Sequence, residues 1–176
     1  RAAHRIAPAD VERIEVGMLA AGFPIVCEPA EAKRRPASQV ELQFSLPFGI
    51  AIALVTGDAS PDRFTLATLE DPRIGELLPR VVGLPDPQLD ARFPRAWPTW
   101  VRILRRGRPA LEARVEHPLG DPEHFPDTAA LRAKFRTLAA RTLPADALAR
   151  LEPVVDGFRT LAEAATLLRT AGASVT

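Results

Sequence analysis

Residues 36–57 read Pro-Ala-Ser-Gln-Val-Glu-Leu-Gln-Phe-Ser-Leu-Pro-Phe-Gly-Ile-Ala-Ile-Ala-Leu-Val-Thr-Gly, and the way they fold decides the architecture. Val40, Leu42, Phe44, Leu46, Phe48, Ile50, Ile52 and Leu54 all fall on even positions, a period of two. Taken literally this is a strand of about 15 residues, against a usual length of about 5–6. Pro47 and Gly49 lie in its middle, where proline would remove a ladder donor. The alternative is a helix over residues 45–56, with Pro47 in its first turn and Gly57 as its C-terminal cap. Such a helix is apolar on nearly every side and has to be buried. Periodicity alone favours the strand; Pro47 and Gly57 favour the helix, and the helix is the expectation adopted.

Outward from this segment the chain is easier to read. Ile14, Val16 and Met18 alternate with Glu15 and Gly17, which predicts a strand over residues 11–18. Residues 22–38 hold three prolines and the run Lys33-Arg34-Arg35, and read as an exposed loop. Asp71-Pro72 opens a short helix, with Asp71 as cap and Pro72 at its first position. Thr99, Val101 and Ile103, then Leu111, Ala113 and Val115, alternate on either side of Gly107 and predict a hairpin over 99–104 and 110–116. After Pro126 the spacing becomes helical, with Leu131, Phe135 and Leu138 in one helix. Leu148, Leu151, Val154, Phe158 and Leu161 mark a second, begun by Pro144 and kinked or divided by Pro153. Strands first and helices last predict an α+β fold, a small mixed or antiparallel sheet with packed helices.

Composition bounds the function. The 176 residues are 47% apolar and 26% charged, ordinary for a globular domain. Twenty-three basic against 22 acidic residues leave a net charge of +1, too balanced for a main partner that is nucleic acid or an anionic membrane. Cys27 is the only cysteine, which excludes an intrachain disulfide and suits a reducing cytoplasm. The longest apolar run, 48–55, falls far short of the roughly 20 residues of a membrane span. No signal peptide is visible. The chain begins at Arg1 rather than Met, as a piece of a longer protein would.

The 36–57 stretch resembles the MmgE/PrpD family, whose members carry a Pro…Ala-Lys-Phe-Ser-Leu-Pro-Tyr…Ala-x-Ala-Leu…Gly pattern. The likeness continues in order through residues 6–16, the Leu69-Glu-Asp-Pro-Arg-Ile74 segment, Pro98-Thr-Trp-Val101 followed by Gly107, and Leu131-Arg-Ala-Lys-Phe135. Members of the family are cofactor-free enzymes acting on small polycarboxylates, among them 2-methylcitrate dehydratase, cis-aconitate decarboxylase and iminodisuccinate epimerase. They join a large helical N-terminal domain to a smaller α+β lid, and homodimers are common. The resemblance therefore implies that residues 1–126 form the lid and that 127–176 are closing helices packed on a helical domain of the same or a partner chain. It implies a lyase or isomerase whose catalytic Asp, His and Lys lie mostly in that helical domain, so that this chain alone is inactive. The rival expectation is a lid-like module kept for binding or assembly.

Two departures bear on chemistry. Phe48 stands where the family has a tyrosine, and a phenyl ring cannot donate the proton or hydrogen bond that a phenol can. Gln43 stands where many members have lysine, a neutral amide in place of a charge. A polycarboxylate needs cations or donors to hold it and a base beside the carbon that loses its proton. The candidate substrate-binding residues in this chain are Arg35, Ser38, Gln43, Ser45 and Phe48. The competing account makes Lys33-Arg34-Arg35 a solvated loop and Ser45 a plain helix cap. His4, His117 and His124 share no metal-ligand spacing on one element. Arg105-Arg106-Gly107-Arg108 reads as a solvated turn rather than an RNA-binding patch, and Trp97 and Trp100 as packing residues.

Overall fold

In the computed structural model, which describes residues 6–157 together with Ala165 and Arg169, the 36–57 stretch is helical. It forms two helices rather than one strand. After β1 (Val11–Met18), α1 (Phe23–Cys27) and α2 (Ala30–Arg34) come α3 (Gln39–Gln43) and α4 (Leu46–Thr56). Ser45 caps α4 by accepting the Phe48 N–H, and Pro47 sits in the first turn. Gly57 closes the helix at φ 71°, a left-handed conformation that favours glycine, and its N–H reaches the Ala53 carbonyl. The even-numbered apolar residues of α4 do not share a face. Phe48 and Ile52 are buried, while Leu46, Ile50 and Leu54 are partly buried against the same core. Val40 and Phe44, in and just after α3, are exposed. The period of two reflects small residues (Pro47, Gly49, Ala51, Ala53) between large ones in a helix packed on several sides.

The chain continues through α5 (Leu66–Leu69), α6 (Pro72–Leu77), β2 (Val81–Pro85), α7 (Pro87–Asp90), β3 (Thr99–Arg105), β4 (Arg108–Val115), α8 (Thr128–Ala139) and α9 (Ala145–Gly157). The four strands form a mixed sheet in the order β2-β1-β3-β4, with β1 parallel to β2 and antiparallel to β3, and β3 antiparallel to β4. A parallel pair needs a long crossover. Here it is residues 19–80, which bring α4 onto one face of the sheet. Ile14 faces both Val81 and Ile103 in register, and these join Val11, Val16, Leu42, Phe48, Ile52, Ile74 and Leu77 in or against one core. Arg80 fastens the end of the crossover to the start of β1, donating from Nη1 to the Pro8 and Val11 carbonyls, both at 2.9 Å.

The fold is α+β, as the sequence implies. The 22–38 segment corrects the reading as a plain loop, because α1 and α2 lie within it. Pro24 falls in the first turn of α1 and Pro29 is the cap of α2, where a missing N–H costs little. Helix α9 is not divided by Pro153, which lies inside it, and Pro144 supplies its first acceptor to the Leu148 N–H. Phe158 and Leu161 lie outside the described residues. By its contacts the chain divides into two units, residues 1–118 and 119–176. In the second, α8 and α9 are joined by Arg132 to Asp156 and Arg136 to Glu152, pairings that run in opposite sequence directions and so define antiparallel helices. Among the described residues no helix is long and apolar enough to cross a membrane.

Candidate functional site

The five residues singled out from the sequence lie along one path through the first unit, from the end of α2 to the first turn of α4. Ser38 caps α3: its Oγ accepts the Glu41 N–H at 3.2 Å, and the Glu41 carboxylate reaches back to the Ala37 N–H at 2.6 Å. The two bonds satisfy backbone donors at the start of α3 in the manner of a capping box, with the glutamate reaching one residue further back than the cap. Ser38 and Gln43, at the two ends of that helix, are both exposed. Arg35 follows α2 and is exposed. The other two cations of its run are engaged, Lys33 with the Ile25 carbonyl at 2.6 Å and Arg34 with Glu31 at 3.2 Å. Arg35 has no carboxylate partner among the described residues. A guanidinium, a hydroxyl and a primary amide can all donate hydrogen bonds, which suits them to holding carboxylates.

Ser45 and Phe48 sit deeper. Ser45 is 4% exposed, and its hydroxyl donates to the Lys33 carbonyl at 2.5 Å while accepting the Phe48 N–H at 3.1 Å. It thus ties α2 to α4, with its hydrogen used inside the fold. Phe48 is fully buried and meets Phe64 edge-on, ring centroids 5.7 Å apart. The ring is a core residue of this unit. Cys27 is also inside, its thiol 3.4 Å from the Met18 sulfur, and burial pushes its pKa up, helped by the charge of Glu28. A thiol kept protonated in this way is a poor nucleophile.

A second polar constellation, not foreseen from the sequence, occupies the sheet face opposite α4. Trp100 lies across Gly17, where a methyl group would overlap the indole, so glycine at that point is what lets the ring lie flat on β1. The indole N–H donates to Asp86 Oδ2 at 2.7 Å, and the other carboxylate oxygen caps α7 through the Gln88 N–H. The indole bond, chief among several, holds the Asp86 pKa below the usual carboxylate range. Beside it Arg102 and Glu112 pair at 2.9 Å across β3 and β4, and Arg114 stands opposite Trp100 in register. Together these residues line an open cavity of about 490 Å³. The available signals were Asp86-Pro87, a repeat of the Asp71-Pro72 capping pattern, and the charged even positions of the hairpin.

Against known families, residues 1–158 match the MmgE/PrpD C-terminal domain. The match covers most of the chain, through the sheet, α4, the hairpin and both closing helices. The protein belongs to the MmgE/PrpD family and carries its C-terminal domain. No curated protein matches it in sequence.

Proposed function

We propose that this domain is the lid of a lyase or isomerase acting on a small di- or tricarboxylate, in the manner of 2-methylcitrate dehydratase. The observation that carries the reading is the state of the basic run. Lys33 and Arg34 are held by the fold, and Arg35 stands exposed three residues before Ser38, with Gln43 exposed at the far end of α3. Arg35 would clamp one substrate carboxylate through its paired N–H groups, with Ser38 and Gln43 adding neutral hydrogen bonds. The base that removes the proton α to a carboxylate would come from the helical domain of the same or a partner chain. Loss of water or carbon dioxide, or return of the proton to the other face, would complete the reaction without a cofactor, in the cytoplasm. Ser45 and Phe48 would then shape the wall without touching the substrate.

The test is steady-state kinetics of the protein isolated from its source, beside its Arg35→Gln variant, on 2-methylcitrate and cis-aconitate. The clamp role predicts KM about tenfold or more higher in the variant, the scale of one charge-assisted hydrogen bond. Unchanged KM and kcat would sink the role of Arg35. A second reading, a non-catalytic binding or assembly module, draws its support from Phe48: the ring at the family's tyrosine position is sealed in the core and offers no polar group to a substrate. Absence of turnover on any polycarboxylate by the source protein would favour it.

A further inference from the structure

Arg35 is exposed, but the residues around it are fixed. Arg34 pairs with Glu31, Pro36 is buried, and Ser38 caps α3. Lys33 ties this segment to the rest of the unit by three bonds. Its ammonium donates to the Ile25 carbonyl at 2.6 Å, its carbonyl accepts the Ser45 hydroxyl at 2.5 Å, and its N–H donates to the Pro29 carbonyl at 3.1 Å. The first bond answers a local need. The Ile25 carbonyl lies in the last turn of α1, and four residues on, where the next helical donor would come from, stands Pro29 with no N–H. A lysine side chain is a suitable donor to such a carbonyl. The second bond reaches the cap of α4, since the same hydroxyl accepts the Phe48 N–H. One residue thus joins α1, α2 and α4, two positions before Arg35.

From this joint we infer that Lys33 is a positioning residue for Arg35: its ammonium is engaged inside the fold and acts on a bound carboxylate only by holding the Arg35 guanidinium in place. The inference rests on the reading of Arg35 as the substrate clamp. A paired guanidinium–carboxylate contact needs both N–H groups aligned, so a shift of the backbone that carries it weakens it more than it would weaken a point charge. The Arg35 backbone is linked to the joint, its N–H donating to the Ala32 carbonyl at 3.2 Å at the end of α2. Without the ammonium the Ile25 carbonyl loses its donor. The end of α2 then loses its tie to α1 and, with Arg35, opens more often. The two cations of the run thus differ in role: Lys33 fixes Arg35, and Arg35 meets the substrate.

A double-mutant cycle in the protein as its source cell makes it, read on 2-methylcitrate and cis-aconitate, tests the proposal. Lys33→Met should raise KM about threefold to tenfold with kcat unchanged. In an Arg35→Gln background the same change should move KM by less than about twofold, because the group it positions is gone. Lys33→Arg keeps a donor for the Ile25 carbonyl and should stay within about twofold of wild type. Ser45→Ala breaks the other bond of the joint with no change of charge, and it should raise KM in the wild-type background and not in the Arg35→Gln background. Amide hydrogen exchange at Arg35 gives a readout that needs no turnover, and Lys33→Met should speed it about tenfold or more. An equal rise in KM from Lys33→Met in both backgrounds would mean that Lys33 acts on the substrate itself, and unchanged exchange at Arg35 would mean that it does not hold this segment. Either result overturns the proposal. Faster exchange with KM unmoved by Arg35→Gln would instead remove the clamp role of Arg35, and the positioning role with it.

Discussion

The two faces of the sheet use the same strands in opposite ways. One face carries α4 and the core, where Ser45, the one buried polar side chain among the described residues, has its hydrogen bonds made within the fold. The other carries Trp100, Arg102, Glu112 and Arg114 around an open cavity, with Asp86 as the anchor. The difference shows where stability is concentrated and where charged groups stay open to solvent. Burial concentrates free energy on the first face, because removed apolar area and unmet hydrogen bonds are both costly there. On the second, water competes for the exposed charges, so an ion pair such as Arg102–Glu112 contributes little to stability.

The sharpest way to break the contrast is Phe48→Ala, which should cost about 3–5 kcal/mol in denaturant unfolding, the scale of a lost core phenyl ring. A cost under about 1 kcal/mol would mean the ring is not the core element its burial indicates. Phe48→Tyr adds a phenol but places its hydroxyl inside the core. It should destabilise by about 1–3 kcal/mol, the desolvation of a hydroxyl without a partner. Ser45→Ala removes the α4 cap and strands the Lys33 carbonyl, for an expected loss of about 2 kcal/mol. On the opposite face Arg102→Gln breaks an exposed ion pair and should change stability by no more than about 1 kcal/mol, less in high salt.

Asp86 sharpens the comparison through pH. Its folded pKa is depressed, first by the Trp100 indole N–H and then by the Gln88 N–H. A depressed carboxylate stabilises the fold above its unfolded pKa of about 4, and that contribution is lost as pH falls through the lower folded value. In a Trp97→Phe background, Trp100 fluorescence should therefore change at a pH below about 4. Asp86→Asn should abolish that transition, and a transition that survives would assign the effect to another group.

The legible parts of the fold were those with local chemical punctuation. Pro47 and Gly57 outweighed an eight-member period of two in identifying α4, and Gly107 marked the hairpin between β3 and β4. Strand β2 went unread because five residues ending in proline carry little pattern. Its place is set by parallel pairing with β1 across the whole crossover, a tertiary fact. Helices α1 and α2 were hidden because Pro24 and Pro29 read as breakers but fall where helices begin. At the site, the sequence named the basic run without showing which of its cations is free. That depends on Lys33 reaching the Ile25 carbonyl and Arg34 reaching Glu31, contacts made only once both short helices exist. The burial of Phe48 likewise follows from Phe64 and the sheet, not from its neighbours in sequence.

The most direct measurement is an NMR assay of 2-methylcitrate and cis-aconitate incubated in parallel with the protein isolated from its source cell and with the purified 176-residue chain. A lid whose base is supplied by a helical domain requires turnover by the source protein and none by the 176-residue chain. Turnover by the chain alone, or no turnover by either, would contradict it.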